Sequence, residues 1–597
     1  MRLNYLIPSN ILNKELEHKR KYFLGHWCST YNQEKKDFFK GDIVKHRWRI
    51  RKNFVKDYND IQKVYEITLI NLTNILNEYF KKDYSVRFWR ILIGTWLNTF
   101  VSIYYEKNFL INKIKNKKNL LFFKYNYNLF NFIAKDYSHF NKISTTDEWQ
   151  YYFFLELIKE KEKDIKFISR KKNYSIKKPK IIDIQFKNPV SNFLGKTTNK
   201  FFGKLKKKQK IIFFDTWLGK STNLSLYFKN FHFFPAFYDL NFKGLPLNFE
   251  KRNSLIKKIK AKTNFQKILL KLAILNLPKN YLEDFKLINK HLEKLNLPKN
   301  PKIILTSNGL YMNSIKSRYV SECVEKGTKL LIIQHGGNYG NFKQNFFENH
   351  EISISNHFLS WGWGNKDKKK LINIGTIVNF DSIKRDLKNL KHDKKFLLFV
   401  VVANRRFIKS LQSISGTEQN HNYYYKFCPN FISSFTSKIK KNLVVRTYDT
   451  GLIPGKPDLG WNLKPFLRKK FKNIKISGKR GEFYPLVNKS KVVVCTILST
   501  VFFECLLANI PTILVLPFSN EVFNKETENY IRKLEKANIY FRNYKDASKF
   551  LNLNWETIDI WWKDKNTQNS KDIFLNKYSK LNKNYKSDLQ NILNKAS

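Results

Sequence analysis

The chain alternates between short, uninterrupted apolar runs and longer segments in which apolar residues recur every three or four positions. The first pattern predicts strands buried on both faces, and the second predicts amphipathic helices. Buried runs in the C-terminal part lie at residues 396–402, 443–446, 474–477, 492–495 and 512–516, and helical segments at 425–440, 502–508 and 526–537. This alternation predicts an α/β fold with a parallel sheet.

The N-terminal part shows the same two patterns. Candidate strands lie at residues 3–8, 22–28, 211–215, 329–333, 358–363 and 371–377, a strand with its turn lies at 301–309, and long helices lie at 57–80 and 85–112. A helix over 314–326, ended by Gly327, separates two of the strands and predicts a βαβ unit with parallel neighbours. Residues 113–210 are lysine-rich without a clear period, so we expect irregular insertions there.

These patterns predict four regions along the chain. Residues 1–380 form an N-terminal α/β domain with helical and lysine-rich insertions, and the charged residues 381–395 form a linker. Residues 396–560 form a second α/β domain, and residues 561–597 form a helical tail. The predicted fold class is therefore α/β, with two Rossmann-like domains facing a cleft.

A polar turn, Gln334-His335-Gly336-Gly337, follows the buried run 329–333. Ligands of open α/β sheets bind at the carboxyl edge of the strands, so this turn is a candidate site. His335 can take a proton from a hydroxyl, and the two glycines let a substrate approach the backbone. Gln334 can orient the substrate or the ring. Local turn hydrogen bonding remains an alternative role for both polar side chains.

A second polar turn follows the run 492–495. Ser499 and Thr500 begin a predicted helix, whose free N–H groups and dipole suit a phosphate. Glu504 follows one turn later and can accept hydrogen bonds from ribose hydroxyls. Ordinary capping of the helix is the alternative for these residues.

Further charged candidates follow other predicted strands. Arg405, Arg406 and Arg446 suit a diphosphate because guanidinium groups bind phosphate oxygens in pairs, although each can also be a solvated surface group. Weaker candidates, for the acceptor side, are His26, His46 and Asp215, for which a core or turn role is the alternative.

Three familiar site patterns are incomplete. Gly219-Lys220-Ser221 lacks the first glycine of a phosphate-binding loop, because residue 214 is Phe214. His350-Glu351 begins a zinc-protease pattern that Ile354 ends, and the glycines after His335 lack the spacing of a dinucleotide fold. We therefore expect no metal site and no nicotinamide cofactor.

The 597 residues carry 111 Lys and Arg against 48 Asp and Glu, a net charge of +63. Such a field favours anionic partners, although compositional bias toward Lys and Asn explains much of it. The five cysteines lack CxxC spacing, which fits a reducing compartment. No signal-peptide core or bilayer-spanning run is visible. We expect a cytoplasmic protein with peripheral contact to the inner face of an anionic membrane.

Five segments are distinctive when taken together: residues 22–28 (YFLGHWC), 84–96 (YSVRFWRILIGTW), 334–340 (QHGGNYG), 499–504 (STVFFE) and 509–512 (NIPT). They resemble the corresponding segments of the LIC-type transferases of bacterial O-antigen and surface-polysaccharide gene clusters. The resemblance spans nearly the whole chain. More distantly, the histidine turn and the Ser-Thr helix are similar to those of GT-B glycosyltransferases and of teichoic-acid polymerases, which transfer glycerol phosphate from CDP-glycerol.

The GT-B resemblance implies that His335 is the base and that the second domain holds the nucleotide through Arg446, Tyr448, Ser499, Thr500 and Glu504. Two segments depart from the teichoic-acid pattern. His335-Gly336-Gly337 stands where those enzymes read His-Gly-Thr, and Arg446-Thr447-Tyr448-Asp449 stands for Arg-x-Tyr-Pro.

The sequence thus predicts a glycosyltransferase that moves a sugar from a nucleotide-activated donor to a glycan or lipid-linked acceptor. No cofactor is expected besides that donor, because fixed cations and dipoles can stabilise the leaving group. The alternatives are a polyol-phosphate transferase on the same fold, a non-catalytic scaffold, and a nucleic-acid-binding protein, for which no motif is present.

Overall fold

The fold is described from a computed structural model of the chain. The described residues are 4–11, 19–28, 41–114, 117, 119–161, 165–169, 175–180, 189–230, 237, 244–364, 370–376, 394–402, 404–413, 417–447, 461–478, 481–517 and 522–596. Most of the predicted linker and the candidate Tyr448 lie outside these residues.

The described strands form three sheets, and every strand pair within them is parallel. The strands are β1 (Asn4–Ile7), β2 (Lys21–Phe23), β3 (Gly41–Ile43), β4 (Leu120–Lys124), β5 (Lys166–Ser169), β6 (Ile211–Phe213), β7 (Ile303–Thr306), β8 (Lys329–Ile333), β9 (His357–Ser360), β10 (Leu371–Asn373), β11 (Phe396–Val400), β12 (Leu443–Arg446), β13 (Lys475–Ser477), β14 (Ser490–Cys495), β15 (Thr512–Val515) and β16 (Tyr540–Phe541).

Helices connect the strands and pack against the sheets. They are α1 (Arg51–Phe80), α2 (Val86–Ile114), α3 (Tyr137–Ile143), α4 (Asp147–Lys161), α5 (Pro189–Lys207), α6 (Lys220–Lys229), α7 (Phe249–Lys257), α8 (Asn264–Asn276), α9 (Phe285–Glu293), α10 (Ser314–Glu325), α11 (Phe346–Ile354), α12 (Thr417–Asn422), α13 (Cys428–Ser433), α14 (Ser437–Lys441), α15 (Leu463–Lys470), α16 (Phe483–Asn488), α17 (Thr500–Leu507), α18 (Lys525–Lys536), α19 (Tyr544–Asn554), α20 (Ile558–Lys563), α21 (Lys565–Tyr578) and α22 (Tyr585–Ala596).

The C-terminal sheet has the strand order β13-β12-β11-β14-β15-β16. Numbered from β11, this is the order 3-2-1-4-5-6 of a Rossmann fold, in which ligands bind beyond the carboxyl ends of the two strands where the order reverses. Those strands are β11 and β14. The predicted α/β class and the Rossmann-like C-terminal half are confirmed.

The N-terminal half contains two sheets where the sequence predicts one domain with insertions. The N-terminal sheet has the order β3-β2-β1-β4-β5, and the central sheet has the order β10-β9-β8-β7-β6. The predicted βαβ unit lies in the central sheet, since β7 and β8 pair in parallel and α10 connects them. The histidine turn therefore belongs to the second of three sheets.

The expectation of irregular structure over residues 113–210 is wrong for much of that segment, which contributes β4, β5, α3, α4 and α5. The sequence pattern does not predict helix α4, because this helix lies inside the core and carries apolar residues on all sides. Trp149, Tyr152, Phe153 and Leu155, which point in different directions around it, are all fully buried. A helix buried all round shows no 3.6-residue stripe.

The last helix returns to the central sheet. Leu589 and Leu593 of α22 are fully buried against Leu331 and Ile333 of β8. The ammonium group of Lys329 donates to the carbonyl of Ala596, with an N–O distance of 2.8 Å. One face of the central sheet is thus completed by residues at the far end of the sequence.

Candidate functional site

The turn after β8 is held by Gln334, whose side chain is fully buried. Its amide oxygen accepts from the backbone N–H of Trp361 at 2.9 Å and from the indole N–H of Trp363 at 2.6 Å. Its amide nitrogen donates to the carbonyl of Gly336 at 2.8 Å. With both ends of the amide engaged, Gln334 fixes the path of the backbone on either side of His335.

His335 sits at the carboxyl edge of β8 with a side chain that is 25% exposed. Its Nε2 atom lies 3.5 Å from the Tyr339 hydroxyl, and its buried Nδ1 atom lies 3.9 Å from Oε1 of Glu351. Burial lowers the pKa of His335 to about 4, because the charged imidazolium loses hydration. The ring is therefore neutral at pH 7 and can accept a proton.

Tyr339 and Glu351 form the inner wall behind this histidine. The Tyr339 hydroxyl donates to Oε1 of Glu351 at 3.1 Å, and both residues are buried. Burial raises the pKa of Glu351 well above its usual range. Because Oε1 of Glu351 lies 3.9 Å from Nδ1 of His335, a positive charge on the histidine would favour ionisation of this carboxyl group.

Helix α2 holds α11, the helix that carries Glu351. The guanidinium of Arg87 donates to the carbonyl of Ile354, the last residue of α11, at 2.6 and 3.0 Å. At Gly94, a Cβ atom would lie only 2.9 Å from the His350 ring, so glycine allows the two helices to pack closely. The segment 84–96 therefore fixes the position of α11 and, through it, the position of Glu351 beside His335.

The histidine turn contacts the start of α17 directly. The backbone N–H of Gly337 donates to the Thr500 hydroxyl at 3.1 Å. A Cβ atom on Gly337 would lie 2.4 Å from the Phe503 ring and 2.8 Å from the Ser499 carbonyl carbon. The absence of a side chain at Gly337 thus allows the helix of the C-terminal domain to approach the turn. The two polar turns predicted from sequence form one site.

Around α17, the nucleotide-side candidates are linked through α16. The Tyr484 hydroxyl donates to Glu504 at 3.2 Å, and the guanidinium of Arg446 lies over the Phe483 ring at 5.1 Å. The Ser499 hydroxyl makes no capping hydrogen bond, in contrast to the predicted alternative. Arg446 ends β12, so these groups lie at the carboxyl edge of the C-terminal sheet.

Glu504 is expected to make donor binding pH-dependent. Burial raises its pKa to about 7, so protonation as the pH falls below 7 would remove the carboxylate that the sequence predicts as an acceptor for ribose hydroxyls. Between pH 8 and pH 6 the ionised fraction falls about tenfold, and we expect nucleotide affinity to fall by the same factor. Calorimetric titration with UDP, GDP and CDP measures this dependence.

Two variants test the role of Glu504. Glu504→Gln should bind the preferred nucleotide more weakly and without the pH dependence, whereas the same change at the exposed Glu556 should alter neither property. If Glu504→Gln kept the wild-type pH dependence of nucleotide affinity, Glu504 would not be part of the binding site.

Arg405 and Arg406 make their contacts elsewhere. The Arg406 guanidinium is 1% exposed, pairs with Asp147 at the start of α4, and donates to the carbonyl of Trp27 at 3.1 Å. Arg405 donates to the carbonyl of Asn141 in α3. Arg406 thus lies at the carboxyl edge of the N-terminal sheet, and the contacts of both arginines give no support to the predicted phosphate role.

The acceptor-side candidates do not converge. His46 is 2% exposed and lies 3.6 Å from the buried carboxylate of Glu106, so it is a core residue. His26 stacks on His421 with ring centroids 3.9 Å apart. Asp215, at the end of β6, is the most accessible of the three and pairs with Lys316. Only Asp215 lies on the edge of the central sheet that carries His335.

Sequence reasoning missed Tyr339, Glu351 and Tyr484. Tyr339 lies inside the 334–340 motif, and its distance of four residues from His335 was the available signal. Glu351 was visible only as part of the incomplete zinc pattern. Within the parts of the chain that the structure describes, no cluster of three His, Cys, Asp or Glu side chains could hold a metal ion.

Two parallel α/β sheets whose polar carboxyl edges meet at one site define the fold as a GT-B-like α/β enzyme fold. A family model confirms the enzyme class: the chain belongs to the LIC12162 family of transferases, whose model matches residues 6–593. None of the curated proteins matches the chain.

Solved structures show only distant similarity. A variant of the wall teichoic acid polymerase TagF has 11% identity and a TM-score of 0.31, covering 68% of this chain and 97% of its own. A glycosyltransferase from Rickettsia africae has 13% identity and a TM-score of 0.33, with 68% and 94% coverage. Anabaena HepE, in complex with UDP and glucose, has 10% identity and a TM-score of 0.32, with 56% and 90% coverage. With scores this low, the family and this chain's own geometry carry the functional conclusion.

Proposed function

We propose that the protein is a glycosyltransferase that moves a sugar from a nucleotide-activated donor to a hydroxyl group of a growing surface polysaccharide or O-antigen. The observation that carries the proposal is the hydrogen bond from Gly337 to Thr500. It joins a neutral histidine at one sheet edge to a helix N-terminus at another. A proton acceptor and an anion-binding element are what transfer from a nucleoside-diphosphate sugar requires.

In the proposed reaction, His335 takes the proton of the acceptor hydroxyl as its oxygen attacks the anomeric carbon of the donor sugar. The bond between that carbon and the phosphate oxygen breaks, and the nucleoside diphosphate leaves. The N-terminus of α17 and the Arg446 guanidinium stabilise the charge that develops on the leaving phosphate. Glu504 accepts hydrogen bonds from the ribose. The scheme uses no cofactor besides the donor.

The turn itself argues against glycerol-phosphate transfer of the teichoic-acid kind. Enzymes of that kind typically carry threonine at the position of Gly337. Here a Cβ atom at that position would already lie 2.4 Å from Phe503. A threonine side chain at this position would therefore collide with α17. For this reason we propose a sugar donor and not a polyol-phosphate donor.

A panel of activated donors tests the proposal. The purified protein is assayed for thermal stabilisation and turnover with UDP-, GDP-, dTDP-, CMP- and CDP-linked sugars, and with CDP-glycerol and CDP-ribitol. Stabilisation and turnover with a sugar donor support the proposal. Turnover confined to CDP-glycerol or CDP-ribitol would establish a polyol-phosphate transferase. A folded protein that binds no donor would favour a non-catalytic scaffold.

A further inference from the structure

Helix α5 exposes a row of large apolar side chains. Phe193, Leu194, Phe201 and Leu205 are 68%, 48%, 70% and 59% exposed. Residues 194 and 201 are seven positions apart and lie on one face of the helix. A kink at Phe202 divides α5, so Leu205 belongs to the short helical segment that follows the kink, where its side chain is also exposed. Scattered single apolar residues are common on protein surfaces, but a row of this length on one helix is not.

The opposite face of α5 attaches the helix to the protein. Gly195, Asn199 and Gly203 follow one another at intervals of four residues. The Asn199 amide donates to the carbonyl of Lys294 at 3.0 Å, and a Cβ atom on Gly203 would lie 2.6 Å from the Asn296 amide. This contact directs the apolar row away from the protein.

Lysines flank the apolar row. Lys196, Lys200 and Lys204 are exposed and also recur every four residues, and Lys207, Lys208 and Lys210 follow them. Residues 189–210 contain no Asp or Glu. The helix therefore combines an outward apolar face with positive charge that no acidic residue of the same segment offsets.

We propose that α5 is a membrane-docking helix that lies in the headgroup region of an anionic bilayer. Helices that combine an apolar face containing Phe and Leu with a lysine-rich polar face bind in this way. The lysines select anionic lipid, because each cation near a negative surface contributes independently to binding. With 19 residues and this charge, α5 lies on the bilayer. Within the described residues, every helix is too short or too polar to cross a membrane. The proposal does not depend on the proposed reaction.

Vesicle co-sedimentation tests the proposal with the full chain. Wild-type protein should sediment with vesicles of phosphatidylcholine mixed with phosphatidylglycerol, and only weakly with phosphatidylcholine alone. The double variant Phe201→Ser/Leu205→Ser should bind anionic vesicles at least tenfold more weakly, because both side chains lose their burial in the bilayer. Its control is Leu553→Ser/Ile560→Ser, at sites that are 75% and 70% exposed on other helices.

A second pair of variants tests the charge. Replacing Lys196, Lys200 and Lys204 by Gln should weaken binding to anionic vesicles about fivefold per lysine and reduce its salt dependence. The same change at Lys533, Lys536 and Lys549, which are exposed on α18 and α19, has equal charge and should leave binding within about twofold of the wild type.

Three results would overturn the proposal. The wild type could fail to bind anionic vesicles, or the α5 variants could bind as well as their controls. Alternatively, Phe201→Ser/Leu205→Ser could convert a dimer to a monomer in size-exclusion chromatography with no loss of vesicle binding, which would assign the apolar row to a second copy of the chain. Circular dichroism of each variant verifies that it is folded.

Discussion

Replacing His335 by alanine is expected to reduce turnover by about a hundred- to ten-thousand-fold while donor affinity stays within about twofold of the wild type. The substitution removes the proton acceptor and leaves the nucleotide groups at α17 and α16 in place. The loss should appear in kcat, because proton transfer occurs in the transition state and not in donor binding. Release of the nucleoside diphosphate under saturating donor measures kcat.

The pH dependence adds a second readout for His335. Its pKa of about 4 means that the wild-type ring is neutral, and able to act as a base, throughout the range above pH 5. At saturating donor, where the effect of Glu504 on affinity does not enter, kcat should fall only as the pH drops through about 4, provided that the fold survives. A matched control is His357→Ala, at the start of β9, on the opposite edge of the same sheet. Equal losses in the two variants, or a loss confined to donor affinity, would reject His335 as the base.

Replacing Arg406 by methionine is expected to lower the free energy of unfolding by about 3–5 kcal/mol, because it removes the guanidinium group that pairs with the buried Asp147 carboxylate. The two side chains are 1% and 7% exposed. The backbone N–H of Asn10, which donates to Asp147 at 2.8 Å, does not replace a cation. Urea denaturation followed by fluorescence measures the change.

The double variant Arg406→Met/Asp147→Leu removes both charges and should recover most of the lost stability. Arg542→Met provides the surface control, because its partner Glu535 is 35% exposed and the loss should stay below about 1 kcal/mol. Donor affinity of the folded Arg406→Met protein should equal that of the wild type. A large loss of affinity with little loss of stability would restore the phosphate role to Arg406.

The strand ends explain which parts of the site could be predicted from sequence. A buried strand that ends in a polar turn is a local pattern, so β8 with His335 and β14 with Thr500 were both recognisable. The direction in which a long side chain points depends on distant parts of the chain, so a local sequence pattern does not reveal it. Arg406 follows β11 closely, as a phosphate ligand would, yet it reaches an aspartate 259 positions earlier in the chain.

The third sheet was missed for a different reason. Strands β1 and β2 correspond to the candidate strands at 3–8 and 22–28, whereas β4 and β5 lie in the lysine-rich segment where irregular structure was predicted. Strand β3 has only three residues and is largely exposed, and a run this short carries too few positions for a period to be recognised. Without these three partners, the first two strands could not be assigned to a sheet of their own. Glu351, which accepts a hydrogen bond from Tyr339, was likewise recognisable only once α11 was placed beside β8.

The return of α22 to the central sheet has a consequence during protein synthesis. Leu589 and Leu593 cover β8, but they leave the ribosome about 250 residues after it. At a translation rate of 5–20 residues per second, α22 is synthesised roughly 10 to 50 seconds after β8, and this apolar face of the sheet stays uncovered during that time. The nascent chain therefore presents a parallel sheet with one open face for longer than most small domains take to fold, and a chaperone that shields it would raise the yield of active enzyme.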